Sequence, residues 1–217
     1  MKTLSSIQTS PQLSRHEFAG RAFGISIGNL FCGFFGMAWI VLGLRAAGRM
    51  NPITAALLSF YLGILVAIST YTMVRTRGSL DRSEAHRAMQ KKINRWFGLV
   101  NLVQWGLIFA AVYGLAKLKL SDWILPAIIL IVGIHFFPLA RLFRAPRHYV
   151  TGAIMVAWAV VYPILFSAGK GGAIGAVGTG AILWMSGAFM CRQALRLLRQ
   201  MDATDLYGDG IAKNARA

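Results

Sequence analysis

Acidic side chains are the scarcest chemistry in this chain: 217 residues hold seven Asp and Glu against 23 Lys and Arg. None of the seven falls within any of the six long apolar stretches. That excludes the intramembrane carboxylate relay or ion site on which many proton- and sodium-coupled carriers depend. It also excludes a membrane hydrolase built on an Asp dyad or an HExxH pair. Cysteine is equally thin, with only Cys32 and Cys191, so there is no disulfide framework and no paired metal-ligand spacing. Both thiols read as small buried hydrophobes. No cofactor motif is present either, because the glycine run near Lys170 lacks the Gly-Lys-Ser/Thr ending of a phosphate loop.

Charged residues make up 14% of the chain and hydrophobic residues 56%, yet the formal net charge is +16. A soluble domain carries about 25% charged residues. Apolar spans alternating with short basic loops reconcile these values, which is the pattern of an integral membrane protein. Binding to nucleic acid would need the basic residues gathered on a soluble surface, and here they lie between apolar runs. The stretches Ala22–Leu44, Ile53–Val74, Phe97–Ala116, Trp123–Ala140, Tyr149–Ala168 and Gly172–Cys191 are each near the roughly 20 residues that a helix needs to cross a bilayer. Backbone groups in lipid must pair within the segment, so the expected fold is all-α, a six-helix transmembrane bundle. The first span is too long for a signal-peptide core and is expected to be retained.

The N-terminal tail, second loop, fourth loop and C-terminal tail hold 18 of the 23 Lys and Arg. The positive-inside bias then places both termini in the cytoplasm. A bacterial cytoplasmic membrane fits this topology. The expected division is a flexible tail over 1–21, a transmembrane domain over 22–201 with a basic loop at 75–96, and a second flexible tail over 202–217. Within the basic loop, Ala85, Met89, Ile93 and Trp96 recur at helical spacing, which predicts a surface helix lying on anionic head groups. The spacing of Arg192, Arg196 and Arg199 predicts that the sixth helix runs about two turns past the membrane, reaching lipid phosphates or the acidic Asp202, Asp205 and Asp209. Nothing in the pattern fixes an oligomeric state.

Polar residues within the spans can be placed by height, at about 1.5 Å per helical residue from the nearest basic residue. Asn29 and Gln104 come at roughly 12–13 Å, and Ser69, Asn101, His135 and Ser186 at about 9 Å. Thr151 lies somewhat shallower. Several helices thus bring hydrogen-bonding groups to one level of the cytoplasmic half. Pro138 adds to this, because it has no N–H and frees the carbonyl of Ile134 beside His135. The resulting candidate ligand site comprises His135, Asn29, Asn101, Gln104 and Ser186, with Arg141 and Arg144 drawing anions to its mouth. The competing reading is a layer of polar contacts that only ties helices together.

Small residues make a face on the first helix (Ser26, Asn29, Gly33, Gly36) and a stripe on the sixth (Gly172, Gly175, Thr179, Ser186). Both are expected to point inward and allow close packing, and Gly24 and Gly28 repeat the same spacing. Trp39, Trp96 and Trp123 fall toward span ends, the interfacial position. Trp105, Trp158 and Trp184 fall deeper, where an indole N–H needs a partner.

The segment "GIHFFPLARLFR", followed by "YVTG" at Tyr149–Gly152, resembles a His-Phe-x-Pro-Leu-Ala helix of uncharacterised bacterial small polytopic membrane proteins. The likeness covers one helix and its following loop. It implies that His135, Phe136, Pro138 and Arg141 form a recurrent unit, and it brings no activity with it. The expected partners are the bilayer, anionic head groups at the Arg and Lys clusters, and a small polar or anionic solute. A non-catalytic scaffold is the alternative, and a lipid-modifying enzyme built on Cys191 or Ser186 lacks a visible base.

Overall fold

The computed structural model describes residues 15–80, 83–166 and 171–214, with 85, 171 and 204–214 in backbone alone. Six α-helices follow one another: α1 (Arg15–Ala46), α2 (Pro52–Arg77), α3 (Glu84–Lys117), α4 (Ile124–Leu142), α5 (Arg147–Leu165) and α6 (Gly171–Asn214). A 3₁₀ turn over Ser121–Trp123 leads into α4. All six are long and apolar enough to cross a membrane, and the chain is a polytopic integral membrane protein. The flexible tail expected over residues 1–14, Ala168, the break at Gly169–Lys170 and the side chains of Ala85, Asp205 and Asp209 lie outside the described residues.

Local chemistry sets the helix boundaries. Asn51 caps α2, its Oδ1 accepting the Thr54 N–H at 2.9 Å, with Pro52 at the first helical position. Ser83 caps α3 by accepting the His86 N–H at 3.2 Å. Gly48, at φ +65°, turns the chain between α1 and α2. Arg144 takes a left-handed conformation, φ +50°, at the close of α4, and the Ala145 N–H bonds the Ala140 carbonyl at 2.9 Å. This compact turn brings the start of α5 directly under the end of α4.

Three boundaries differ from the sequence expectation. α1 begins at Arg15, upstream of the expected Ala22. The surface helix expected in the basic loop is the first part of α3, which runs unbroken from Glu84 to Lys117. α6 continues to Asn214, into the stretch expected to be a flexible tail. Extending an existing helix fixes one residue per hydrogen bond and needs no new nucleus, which explains why polar segments follow their apolar neighbours into helix.

α6 is the central element and packs on α1, α2, α4 and α5, while α2 flanks α1 and α3 flanks α4. The α1–α6 seam is the closest. A methyl group placed on Gly180 would sit 2.6 Å from the Gly36 carbonyl oxygen, and one on Gly43 would sit 2.6 Å from the Ala173 carbonyl oxygen. One on Gly187 would sit 2.8 Å from Asn29 Oδ1. The facing pairs 29/187, 36/180 and 43/173 recur every seven residues, and the buried Ala22 and Ala194 fall at the next step. A seven-residue repeat of small side chains keeps one face of each helix on the other.

Aromatic rings also pack into glycine gaps. Trp184 fits against Gly36 and donates its indole N–H to the Gly33 carbonyl at 3.0 Å. Trp158 fits against Gly178 and donates to the Gly175 carbonyl at 3.0 Å. Of the expected inward stripes, Ser26, Asn29, Gly33 and Gly36 are buried, as are Gly175 and Thr179. Gly172 is exposed instead, at the start of α6, and Gly24, which is not part of either stripe, is exposed on α1. Trp105 is also exposed and faces outward from α3.

α3 stands apart. None of its apolar window is buried, against half of that of α6. Its contacts are with α4, the 3₁₀ turn, and an aromatic chain in which Phe97 meets Phe31 of α1 and Phe143 at the end of α4.

Gly180→Ala is expected to destabilise the bundle by about 1–3 kcal/mol, because an added methyl forces two backbones apart. Gly106→Ala on α3, where nothing lies within 4 Å of the added carbon, is expected to be neutral or slightly stabilising. Thermal unfolding of both variants in detergent checks the pair, and equal melting of the two disproves the seam.

Candidate functional site

Buried hydroxyls in the bundle fall into two kinds. Those of Ser26, Thr72, Thr76 and Thr179 bond the carbonyl one turn earlier in their own helix. Such groups satisfy themselves and offer little to a ligand. The second kind crosses between helices. Asn29 of α1, 1% exposed, points Nδ2 at Ser69 Oγ of α2 (2.7 Å), Cys191 Sγ of α6 (3.0 Å) and the Leu65 carbonyl (3.3 Å). Its Oδ1 has no partner. Nearby, Ser186 of α6 and Thr151 of α5 share a 3.0 Å hydroxyl contact, and Ser186 also meets Cys32 of α1.

The network continues to the basic end. Thr151 Oγ1 donates to the Arg147 carbonyl at 3.3 Å, and Arg147 Nη1 donates to Gln193 Oε1 of α6. Arg147 Nε and the neighbouring His148 Nδ1 are buried without a partner. His148 is 7% exposed, and its ring lies 5.7 Å from that of Phe136. Asn29, Ser69 and Cys191 therefore tie α1, α2 and α6, and Cys32, Ser186, Thr151, Arg147 and Gln193 tie α1, α5 and α6. The two sets adjoin where Asn29 and Cys32 both face Gly187. Among the described residues no three His, Cys, Asp or Glu side chains converge as metal ligands.

The sequence-derived site residues separate into two groups. Asn29 and Ser186 belong to this network. His135, Asn101 and Gln104 do not, because they lie on the α3–α4 seam. The His135 ring is set against the backbone of Val100. Asn101 Nδ2 donates to the Phe97 carbonyl of its own helix at 2.8 Å, and Gln104 is half-buried on the same face. No described hydrogen bond joins the two groups. Arg141, in the last turn of α4, and Arg144, on the turn between α4 and α5, are exposed just ahead of Arg147.

At the same end, Arg75 pairs with Asp202 at 3.0 Å, both near half exposure, a pair worth less than about 1 kcal/mol. Phe18, Ala19, Leu80, Leu195, Leu198 and Met201 pack beside it, and the His16 ring contacts the Ser79 carbonyl at 2.8 Å. The start of α1, the end of α2 and the extension of α6 thus share one end of the bundle. Open hollows lie on the outside of α3, along Lys91, Lys92, Arg95 and Trp96.

Arg147, His148 and Gln193 were not among the residues singled out from the sequence. The first two look like loop residues by hydropathy. The available signal was periodicity: His148 is in register with Thr151, Gly152, Met155, Ala159 and Tyr162, the buried face of α5. No known protein family, curated protein or solved structure matches this chain.

Asn29→Ala is expected to destabilise the bundle by about 1–2 kcal/mol, above the average for one interhelical bond because three helices lose a shared tie. Asn101→Ala removes only a bond within α3 and is expected to change stability by less than about 0.5 kcal/mol. Detergent melting curves of the two variants give the comparison.

Proposed function

We propose that this membrane protein binds a small polar or anionic solute at its basic end, through the network running from Arg147 to Asn29. The observation that carries this reading is unfilled hydrogen-bonding capacity: Arg147 Nε and His148 Nδ1 are buried and unpartnered at that end. Asn29 Oδ1 is so deeper in the bundle, while Tyr162 Oη, near the other end of α5, is a fourth such atom outside the network. Buried polar groups are normally paired, so the two at the basic end point to a missing partner. The positive-inside bias turns this end toward the cytoplasm. Arg141 and Arg144 add positive potential at the approach. In this reading His135, Asn101 and Gln104 serve the attachment of α3 to α4.

A non-catalytic scaffold or assembly partner is the second reading, favoured by the closeness of Gly187 to Asn29. A thermal-shift screen of small polar and anionic solutes on the detergent-purified protein separates the two. A solute bound at a hundredfold excess over its Kd adds about 2.7 kcal/mol of stability. Binding predicts a solute whose stabilising effect falls in Thr151→Val and Ser186→Ala but persists in His135→Ala. The scaffold reading predicts lower melting in the variants and no solute effect.

A further inference from the structure

We infer that the ligand of this network is an oxyanion, a phosphate-type group held by the Arg147 guanidinium beside His148. The inference rests on the binding role proposed above and names its chemistry. A charge drawn partly out of water is stabilised by an opposite charge or a full set of hydrogen bonds, and the buried Nε of the half-buried Arg147 has neither. Its fixed contact is the neutral Gln193 Oε1. No described ion pair joins Arg147 to a carboxylate: Asp202 pairs with Arg75, Asp122 lies in the turn between α3 and α4, and Glu17 and Glu84 lie in the first turns of α1 and α3.

The shape of the remaining donor set is specific. With Nη1 turned to Gln193, the Nε–Nη2 edge of the guanidinium is left over, and that edge presents two parallel N–H groups. Phosphate and carboxylate oxygens fit it as a bidentate pair. The next residue, His148, has its Nδ1 buried without a partner. The His148 and Tyr149 N–H groups at the start of α5 already bond the carbonyls of Ala145 and Pro146 at 3.0 Å, so the inference rests on the side chains. Arg147 keeps part of its surface exposed at the basic end, which gives an anion its approach. A free phosphate-bearing solute and a phospholipid head group offer the same chemistry.

The test uses the full-length protein in a neutral detergent, with thermal melting read in sodium phosphate, in sodium chloride of equal ionic strength, and in mixed micelles with phosphatidylglycerol or phosphatidylcholine. Phosphate or phosphatidylglycerol is expected to raise the melting point where chloride and phosphatidylcholine do not. Arg147→Gln should weaken that effect by more than about tenfold in apparent affinity, and Arg45→Gln, in the last turn of α1 at the opposite end of the bundle, should preserve it. Should Arg147→Gln fail to fold, Gln193→Glu decides, because it supplies an internal carboxylate of the same size. That variant is expected to melt higher than wild type without ligand and to lose the response to phosphate or anionic lipid. A response to phosphate identifies a free solute, and a response to phosphatidylglycerol alone identifies a head group. An unchanged anion response in Gln193→Glu overturns the inference. If only an uncharged solute stabilises the protein, and does so through Thr151 and Ser186, the oxyanion falls while the binding role stands. If no compound stabilises it, both fall.

Discussion

Two helix backbones approach to van der Waals distance only where side chains are missing, and α1 and α6 meet that condition at seven-residue steps along their length. Lipid offers apolar groups the same surroundings as a protein interior, so close contact rather than the hydrophobic effect must hold such helices together. Gly36, Gly43, Gly180 and Gly187 permit that contact. The remaining elements depend on it. α2 leans on the α1–α6 pair, and α5 packs on α6 by setting Trp158 and Tyr162 over Gly178 and Gly175.

The same repeat explains the position of the polar network. Asn29 occupies the step at which α1 presents an amide instead of hydrogen, facing Gly187. A side chain there has no room to leave the seam, so its Nδ2 is directed at Ser69 on the flanking α2 and at Cys191 one turn along α6. Close packing and polar chemistry are consecutive turns of one interface. The network then reaches the basic end along α5 and α6, where the bundle opens toward its cationic surface.

Much of this was legible in the sequence. Six apolar windows, their order and the inward faces of Ser26–Gly36 follow from hydropathy and small-residue spacing, because both are local properties. The seven-residue pattern Ala22, Asn29, Gly36, Gly43 is also present, beside the four-residue Gly24–Gly28 spacing whose first member faces outward. Residue counting gave the height of His135 but not its direction around the helix axis. That direction is set by which neighbour α4 adopts on each side, a long-range fact that one sequence does not encode visibly. Arg147 and His148 were hidden for the opposite reason: a hydropathy boundary assigned them to a loop, while helical register had already placed them on a buried face.

α3 carries a different consequence. With no buried apolar window and packing confined mainly to one neighbour, most of its circumference has acyl chains for company. Selection on that surface can act on greasiness and length but hardly on shape. Its outward residues should drift among Leu, Val, Phe and Trp across descendants of this gene, while the facing positions of α1 and α6 hold still. The slow and fast surfaces of the molecule would then mark, without any functional assay, where protein ends and solvent lipid begins.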